Sequence, residues 1–253
     1  MDSTKRFSDR VENYVKYRPS YPEEIIKHLQ NEIGLSSLIV ADIGSGTGIL
    51  SELFLKNGNK VFGIEPNREM REAAEKLLEK YPGFVSIDGT AEATTLDNQF
   101  VDVISAGQSF HWFDVDRAKK EFLRILKPGG YTVLVWNVRK TDSSPFSRNY
   151  ENLLVDHATD YKKVNHRLAA DEKILNRFYG HENYRKKLFD NYQVFDFEGL
   201  KGRLLSSSYS PLEGQPRYSS MMKRLEQIFA EHQVQGVVKF EYTTEIYTGQ
   251  LEE

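Results

Sequence analysis

The sequence predicts an α/β fold with a doubly wound, mostly parallel sheet. Short apolar runs typical of buried strands alternate with helical patterns five times before residue 140. The first run is followed by glycines at positions 44, 46 and 48 and then by a helical pattern. A strand, a glycine turn and a helix begin a nucleotide-binding unit, because the turn lets a ligand approach the backbone and the helix N-terminus offers free N–H groups.

Seven segments have strand character. In chain order, the predicted strands are Ser37–Ala41, Lys60–Glu65, Phe84–Ile87, Val101–Ser105, Tyr131–Asn137, Tyr192–Glu198 and Val237–Tyr247. The first five read as buried strands separated by helices, which indicates a parallel arrangement. The sixth alternates like a half-buried strand, and the last is rich in β-branched and aromatic residues.

Helical patterns occupy most of the remaining chain. A first helix through Phe7–Val15 is stopped by Pro19, and a second begins near Pro22. The later predicted helices are Ile49–Leu55, Pro66–Leu78, Val115–Leu126, Tyr150–Asp156, Asp171–Phe178, Lys201–Ser207 and Arg217–Gln233. The Lys-Pro-Gly-Gly sequence at 127–130 predicts a sharp stop before the fifth strand.

We interpret the chain as a single domain of 253 residues with an insertion, because no independent core pattern follows residue 140. The predicted parts are an N-terminal helical cap over 1–35, a cofactor-binding core over 36–138, a helical insertion or lid over 139–190, and C-terminal strands and helices over 191–253.

Composition restricts the function classes. The net charge of −3 and the pI near 6.1 give no general attraction to nucleic acids or anionic membranes, so neither is an expected partner. The absence of cysteine excludes disulfides, thiolate metal sites and a cysteine nucleophile, and we expect no metal site. No signal-peptide pattern or run of 18 apolar residues occurs, so we expect a cytoplasmic protein, monomeric or homodimeric.

These motifs together resemble a known family. The motifs are the sequence Asp-Ile-Gly-Ser-Gly-Thr-Gly at 42–48, the acid Glu65 and the Lys-Pro-Gly-Gly sequence at 127–130. They resemble the corresponding motifs of class I S-adenosylmethionine-dependent methyltransferases. This resemblance covers residues 36 to 137. Three further segments resemble the bacterial and fungal small-molecule group related to trans-aconitate methyltransferases. They are Tyr14 with Tyr17–Pro22, Gln108–Asp114 with its His-Trp-Phe-Asp sequence, and Ser206–Tyr209.

The resemblance implies a Rossmann-like sheet of seven strands whose last strand is antiparallel and lies beside the fifth. It also implies S-adenosylmethionine as the cofactor, and a set of residues that bind it. These cofactor-binding residues are Tyr14, Arg18, Asp42, Gly44, Ser45, Gly46, Thr47, Gly48, Glu65, Pro66, Thr90, Ala91, Ala106 and Gln108.

Within that set, the glycine loop is expected to face the methionine part of the cofactor and Glu65 the ribose. The position of Glu65, 21 residues after Gly44, independently favours a ribose contact. Thr90 and Ala91 would contact adenine, and Ala106 with Gln108 would follow the methionine chain. Tyr14 and Arg18 would close over the methionine end, where the guanidinium can pair with a carboxylate of cofactor or substrate.

Thr90 departs from the family pattern, because many relatives carry an acid there that accepts from the adenine amino group. Adenine recognition is therefore expected to depend on backbone groups together with Glu92 or Asp88.

His111 is the candidate catalytic residue, as a base or a substrate contact. It follows the fourth strand by six residues, close to the edge where ligands bind in such sheets. The alternative is a histidine that packs at a helix start. Transfer from a sulfonium needs in-line positioning and exclusion of water more than acid–base help, so no catalytic dyad is required.

Three functions are compatible with these residues. The first is methyl transfer from S-adenosylmethionine to a small molecule, with a carboxylic acid as one acceptor class. The second is an NAD(P)-dependent oxidoreductase, which the G-x-G-x-G spacing disfavours, since the dinucleotide motif is G-x-G-x-x-G. The third is a protein that binds S-adenosylmethionine without turnover.

Overall fold

A computed structural model describes residues 15–159, 161, 171–181 and 183–252 of the chain. Within these ranges seven strands form one sheet. In chain order they are β1 Ile39–Ile43, β2 Lys60–Ile64, β3 Phe84–Ile87, β4 Val101–Gly107, β5 Leu126–Arg139, β6 Tyr184–Phe195 and β7 Val238–Gly249.

The strand order in the sheet is β3-β2-β1-β4-β5-β7-β6. The first five strands pair in parallel, whereas β7 pairs antiparallel with β5 on one side and with β6 on the other. This arrangement confirms the predicted fold class, including the antiparallel last strand beside the fifth. The order reverses direction between β1 and β4, and ligands bind at such a switch point in open α/β sheets.

Helices connect the strands. In the described part of the chain they are α1 Glu24–Ile33, α2 Ile49–Lys56, α3 Arg68–Leu78, α4 Val115–Ile125, α5 Pro145–His157, α6 Glu172–Tyr179, α7 Phe197–Leu205 and α8 Tyr218–His232. Polar side chains begin several of them by accepting a backbone N–H bond: Asn67 caps α3, Asp114 caps α4 and Asp196 caps α7.

Strand β6 begins eight residues earlier than the sequence predicts, and Glu198 lies in α7 instead of the strand. The charged run Arg185–Lys187 falls inside the predicted helical insertion and lies on this strand. Because β6 is an edge strand, these side chains remain exposed while the backbone pairs with β7 along its whole length. The strand therefore starts inside the 139–190 range assigned to the insertion.

Two other boundaries also differ from the prediction. Strand β5 starts at Leu126, which pairs with Val101 before a register shift, so the Lys-Pro-Gly-Gly sequence lies within the strand's bounds. Helix α7 starts at Phe197 rather than Lys201, because Asp196 accepts from Gly199 N and caps it.

The buried core lies on both faces of the sheet. Alternation along β1 places Ala41 and Ile43 in one apolar cluster with α4 and α6, and Val40 in the other with α1 and α2. A third cluster joins α5, α7 and α8 to β7. Across the described ranges, no helix has the length and apolar character that a membrane crossing requires.

Candidate active site

A cavity of about 540 Å³ opens at the carboxyl ends of the parallel strands. Two regions of its wall are named separately. The loop compartment is formed by residues that follow β1, β2, β3 and β4. The arginine compartment is formed by the last residue of β5 and residues that follow it, by residues on α5, by residues on or after α7, and by one residue of β7. The residues of the arginine compartment are Arg139, Thr141, Glu151, Val155, Tyr161, Arg203, Ser208, Tyr209 and Tyr242.

The three glycines after β1 have different roles. All have positive φ, which L side chains rarely adopt. A Cβ at Gly44 would lie 2.6 Å from the Ser109 side chain, and one at Gly48 would lie 2.5 Å from Leu78. Gly46 has no atom near its missing Cβ and lines the cavity. Gly44 and Gly48 therefore allow close packing, whereas Gly46 leaves room for a ligand.

Glu65, directly after β2, lies against this loop. Its Oε2 accepts from Gly46 N and its Oε1 from Asn67 N, both at 2.9 Å. The residue is 9% exposed and lines the cavity. Burial raises the pKa of the Glu65 carboxyl, and the two backbone N–H groups counteract part of that rise. Each oxygen keeps a lone pair, so the carboxylate can also accept from a ligand hydroxyl.

Asp42 lies at the end of β1 and is almost fully buried. Its carboxylate accepts from the hydroxyls of Ser51, at 2.6 Å, and Ser105, at 3.0 Å. Burial raises the pKa of Asp42 to about 6, against the opposing effect of these hydroxyl donors. Asp42 thus ties the start of α2 to β4 beneath the glycine loop while it contributes to the cavity wall.

The turn after β3 brings Thr90, Ala91 and Glu92 to the cavity. It is closed by reciprocal backbone bonds between Thr90 and Ala93. Glu92 Oε1 accepts from the backbone N–H of Asp114, and Asp88 forms an ion pair with Arg71 outside the cavity lining. Of the two acids expected near adenine, the structure therefore places only Glu92 at the cavity.

Gln108 follows β4 with φ +58°, an unusual value for a residue other than glycine. Its backbone N–H donates to Val135 O and its Nε2 to Asn137 O, and these bonds tie it to β5. Gln108 lines the cavity. Ala106 does not, because its side chain is fully buried in the core. The adjacent Gly107 lines the cavity instead.

His111 belongs to the short 3-10 helix Phe110–Trp112, and it lines the cavity. Its ring packs beside Trp112, with centroids 4.7 Å apart. This position brings the imidazole to the boundary between strand β4 and helix α4.

The N-terminal segment closes one side of the cavity through Arg18, Pro19 and Tyr21. Arg18 Nη2 donates to Ser206 O at 2.9 Å, after α7. The predicted contact of Tyr14 lies outside the described residues.

Most predicted site residues converge on the cavity. Those that line it are Arg18, Asp42, Gly44, Ser45, Gly46, Thr47, Glu65, Pro66, Thr90, Ala91, Gln108 and His111. Gly48 and Ala106 do not line it. The Oγ1 atom of Thr47 is buried and has no hydrogen-bond partner among the described residues.

Sequence reasoning missed most of the arginine compartment. Arg139 ends β5, so its position at a strand's carboxyl end was a usable signal. Arg203 lies within a short helix and carries no such signal. The Arg185–Lys187 run, which falls inside the predicted insertion or lid of residues 139–190, lies on β6 and outside the cavity lining.

The two compartments carry opposite charge. The loop compartment contains the carboxylates of Asp42, Glu65 and Glu92. The arginine compartment contains two guanidinium groups, Arg139 and Arg203, and one carboxylate, Glu151, which pairs with Arg139. The Arg18 side chain reaches the same side through its bond to Ser206 O. The cavity therefore favours a cationic ligand in one part and an anionic ligand in the other.

A family model for a methyltransferase domain matches residues 41–134. An uncharacterised methyltransferase of Mycobacterium tuberculosis is 38% identical over 138 residues, 54% of each chain. The match thus spans about half the length of that relative. An uncharacterised methyltransferase of Bacillus cytotoxicus is 31% identical over 149 residues, which cover 55% of this chain and 68% of that protein.

Among solved structures, one assigned as a type II methyltransferase from Anaeromyxobacter dehalogenans superimposes with a TM-score of 0.72. It covers 94% of this chain and 100% of its own, at 19% sequence identity. At this identity the likeness concerns the fold alone, and it extends over nearly the whole sheet and its helices.

Proposed function

The chain belongs to the class I S-adenosylmethionine-dependent methyltransferases, and on that premise we propose that it methylates a small-molecule acceptor, a carboxylic acid. One observation supports this proposal above the others. A single cavity joins an acidic compartment at the glycine loop to a basic compartment beside it. Two ligands of opposite charge can therefore meet inside one cavity.

The loop compartment fits the cofactor. Gly46 leaves its part of the wall open, Thr47 Oγ1 has no partner among the described residues, and the Glu65 carboxylate borders the loop. S-adenosylmethionine carries a sulfonium charge, which nearby carboxylates stabilise. Glu65 would accept from the ribose hydroxyls, Thr90 and Ala91 would face adenine, and Gln108 would border the methionine chain. Arg18 would close the methionine end.

When bound, S-adenosylmethionine supplies an electrophilic methyl group, whose transfer to a carboxylate oxygen forms a neutral ester and leaves a neutral thioether. The protein's part is to orient the acceptor oxygen in line with the methyl group and to exclude water. The walls of Trp112, Phe113 and Tyr21 supply apolar surface for that exclusion.

His111 then acts as a substrate contact and not as a base. A carboxylic acid is already ionised near neutral pH, so no proton has to be removed before its oxygen attacks. The arginine compartment supports an acceptor that carries carboxylate charge, because guanidinium groups bind carboxylates through charge-assisted hydrogen bonds. A phenol or an amine without an anionic group would gain nothing from these cations.

The test combines binding with turnover. We expect S-adenosylmethionine and its demethylated product to bind in a calorimetric titration, and a panel of small carboxylic acids, amines and phenols to yield product only with acids. NAD(P)H is titrated as a control ligand. Binding of NAD(P)H without a response to S-adenosylmethionine would contradict the proposal. Cofactor binding without turnover on any acid would favour a non-catalytic binding protein.

A further inference from the structure

Arg203 is a buried guanidinium at the wall of the arginine compartment. The residue is 6% exposed and lines the cavity. Its Nε donates to Tyr242 Oη and its Nη1 to Ser207 Oγ, both at 3.0 Å. Among the described residues, Nη2 has no hydrogen-bond acceptor. Two of the three guanidinium nitrogens are therefore fixed by the protein, and the third is available to a ligand.

The charge of Arg203 has no carboxylate partner within the described ranges. Arg139, in contrast, is ion-paired with Glu151, and Tyr161 bridges that pair by accepting from Arg139 and donating to Glu151 at 2.7 Å. Both guanidinium groups lie over the Phe240 ring, at 5.5 Å for Arg203 and 6.0 Å for Arg139. They form one wall, in which Glu151 neutralises only Arg139.

An unpaired buried cation is costly, because the charge has lost its hydration without gaining an opposite charge. The structure offsets part of this cost for Arg203 through two hydroxyl acceptors and the faces of Phe240 and Tyr242. These groups orient the guanidinium without neutralising it. Such an arrangement is what an anion-binding site requires before its ligand arrives, because the fixed donors lose little freedom on binding.

A second donor lies next to it. Tyr209 lines the cavity, is 8% exposed, and follows Ser207 by two residues. Its hydroxyl forms no hydrogen bond to any described residue, whereas its backbone oxygen holds Thr159. The Tyr209 hydroxyl and Arg203 Nη2 thus border the same compartment, and both can donate to an oxyanion.

We infer that Arg203 anchors an anionic group of the acceptor, an oxyanion such as a carboxylate or a phosphate. This anchored group is a different group from the one that receives the methyl. This inference rests on the proposed function. Methyl transfer to an anion removes its charge, so an arginine paired with the reacting oxygen would stabilise the ground state more than the transition state. An anchor on a second group stabilises both equally and sets which acceptors bind.

The experiment measures acid preference in the full chain with saturating S-adenosylhomocysteine, which keeps the loop compartment occupied. The probes are glutarate against glutaramide, phenylacetate against phenylacetamide, and phenyl phosphate, each titrated by calorimetry. We expect the wild type to bind the acids and not the amides. In Arg203→Gln the acids should bind about 10- to 100-fold more weakly, the loss expected for one charge-assisted hydrogen bond.

The matched control is Lys201→Gln, which removes a positive charge from the same helix. The Lys201 side chain is 36% exposed, lies 4.0 Å from Glu198 and does not line the cavity. This variant should bind the acids like the wild type. A second variant, Arg203→Lys, keeps a cation at the wall and is expected to retain the preference for acids if Arg203→Gln fails to fold.

Three results would overturn the assignment: wild-type affinity for the acids in Arg203→Gln, equal affinity for acid and amide in folded Arg203→Lys, or no acid binding by the wild type. The relative affinities for phenyl phosphate and the carboxylates identify which oxyanion Arg203 binds. A preference for either one supports the inference. Failure of the proposed function is distinguishable, because the wild type would then either not bind S-adenosylhomocysteine or form no methylated product from any acid, whereas the role of Arg203 is read from acid binding alone.

Discussion

At the residue scale, the glycine loop and Glu65 form one unit. The carboxylate accepts backbone N–H bonds from Gly46 and Asn67. Glu65 therefore shapes the loop as well as presenting an acceptor to the ligand. Removing the side chain therefore removes both the bonds that shape the loop and the acceptor for the ligand. A control variant that removes a different carboxylate separates these two contributions from the general effect of one negative charge.

We predict that Glu65→Ala weakens S-adenosylmethionine binding by roughly 1.5–3 kcal/mol, the range for a hydrogen bond that involves a charged group. Calorimetric titration measures this directly. The control is Asp88→Asn, which removes a nearby carboxylate whose side chain is 73% exposed and outside the cavity lining. An affinity in Glu65→Ala equal to that of the wild type would show that Glu65 does not contact the cofactor.

At the scale of elements, the C-terminal half of the chain holds the N-terminal segment of residues 15–22 over the cavity. Tyr17 O accepts from Gln193 on β6, and Ser20 O accepts from Asn191 on the same strand. The Tyr17 ring lies directly on Gly202 of α7, where a Cβ would be 2.0 Å from Cε2. Helix α7 therefore needs a glycine there so that this segment can close the site.

Gly202→Ala tests this contact, because the sign of the change in the free energy of unfolding depends on whether the Tyr17 ring occupies the space beside Gly202. In an ordinary helix interior the change would stabilise the protein by about 1 kcal/mol. Here the clash with Tyr17 should instead destabilise it by about 1–3 kcal/mol and speed hydrogen exchange in residues 15–22. Denaturant unfolding and hydrogen-exchange mass spectrometry provide the two measurements.

Lys201→Ala, on the same helix outside the contact, is the control for Gly202→Ala. In a Tyr17→Ala background the Gly202→Ala change should become neutral or stabilising, because the ring that it meets has been removed. A Gly202→Ala variant that is as stable as the wild type and exchanges as slowly would mean that the segment adapts without leaving α7.

At the scale of the whole molecule, the strand order places acidic and basic side chains of the cavity on opposite sides of β4. Asp42, Glu65 and Glu92 lie on β1, after β2 and after β3, on one side, whereas Arg139 and Tyr242 lie on β5 and β7, on the other. The net charge of −3 conceals this polarity. Because acids and arginines come from distant parts of the sequence, only the assembled sheet places a cationic and an anionic site side by side.

Global stability should depend on pH through Asp42. Its pKa rises from 3.8 to about 6 on folding, so the unfolded chain ionises first as pH increases. Stability is therefore lost between these values, on the order of 3 kcal/mol, and the deficit persists above pH 6. We predict that Asp42→Asn gains stability relative to the wild type as pH rises from 4 to 7 in denaturant unfolding. Parallel pH curves for the two proteins would contradict this.

The sequence by itself determined the parallel half of the sheet and most of the loop compartment. Strands β1 to β4 are short apolar runs between helices. The glycine loop, Glu65 and Gln108 follow their strands directly, and Thr90 follows β3 by three residues. In a parallel sheet the carboxyl ends meet at one edge, so local order along the chain already predicts proximity in space.

Only the tertiary structure decided the arginine compartment and the extent of β6. The separation of Arg139 and Arg203 along the chain does not indicate that they share one wall of the cavity. They do so because both guanidinium groups contact Phe240 on β7. The charges of Arg185–Lys187 obscured β6, because an edge strand tolerates exposed cations while its backbone pairs fully. Contacts between distant segments, and not local pattern, determine which charges are neutralised and which remain for a ligand.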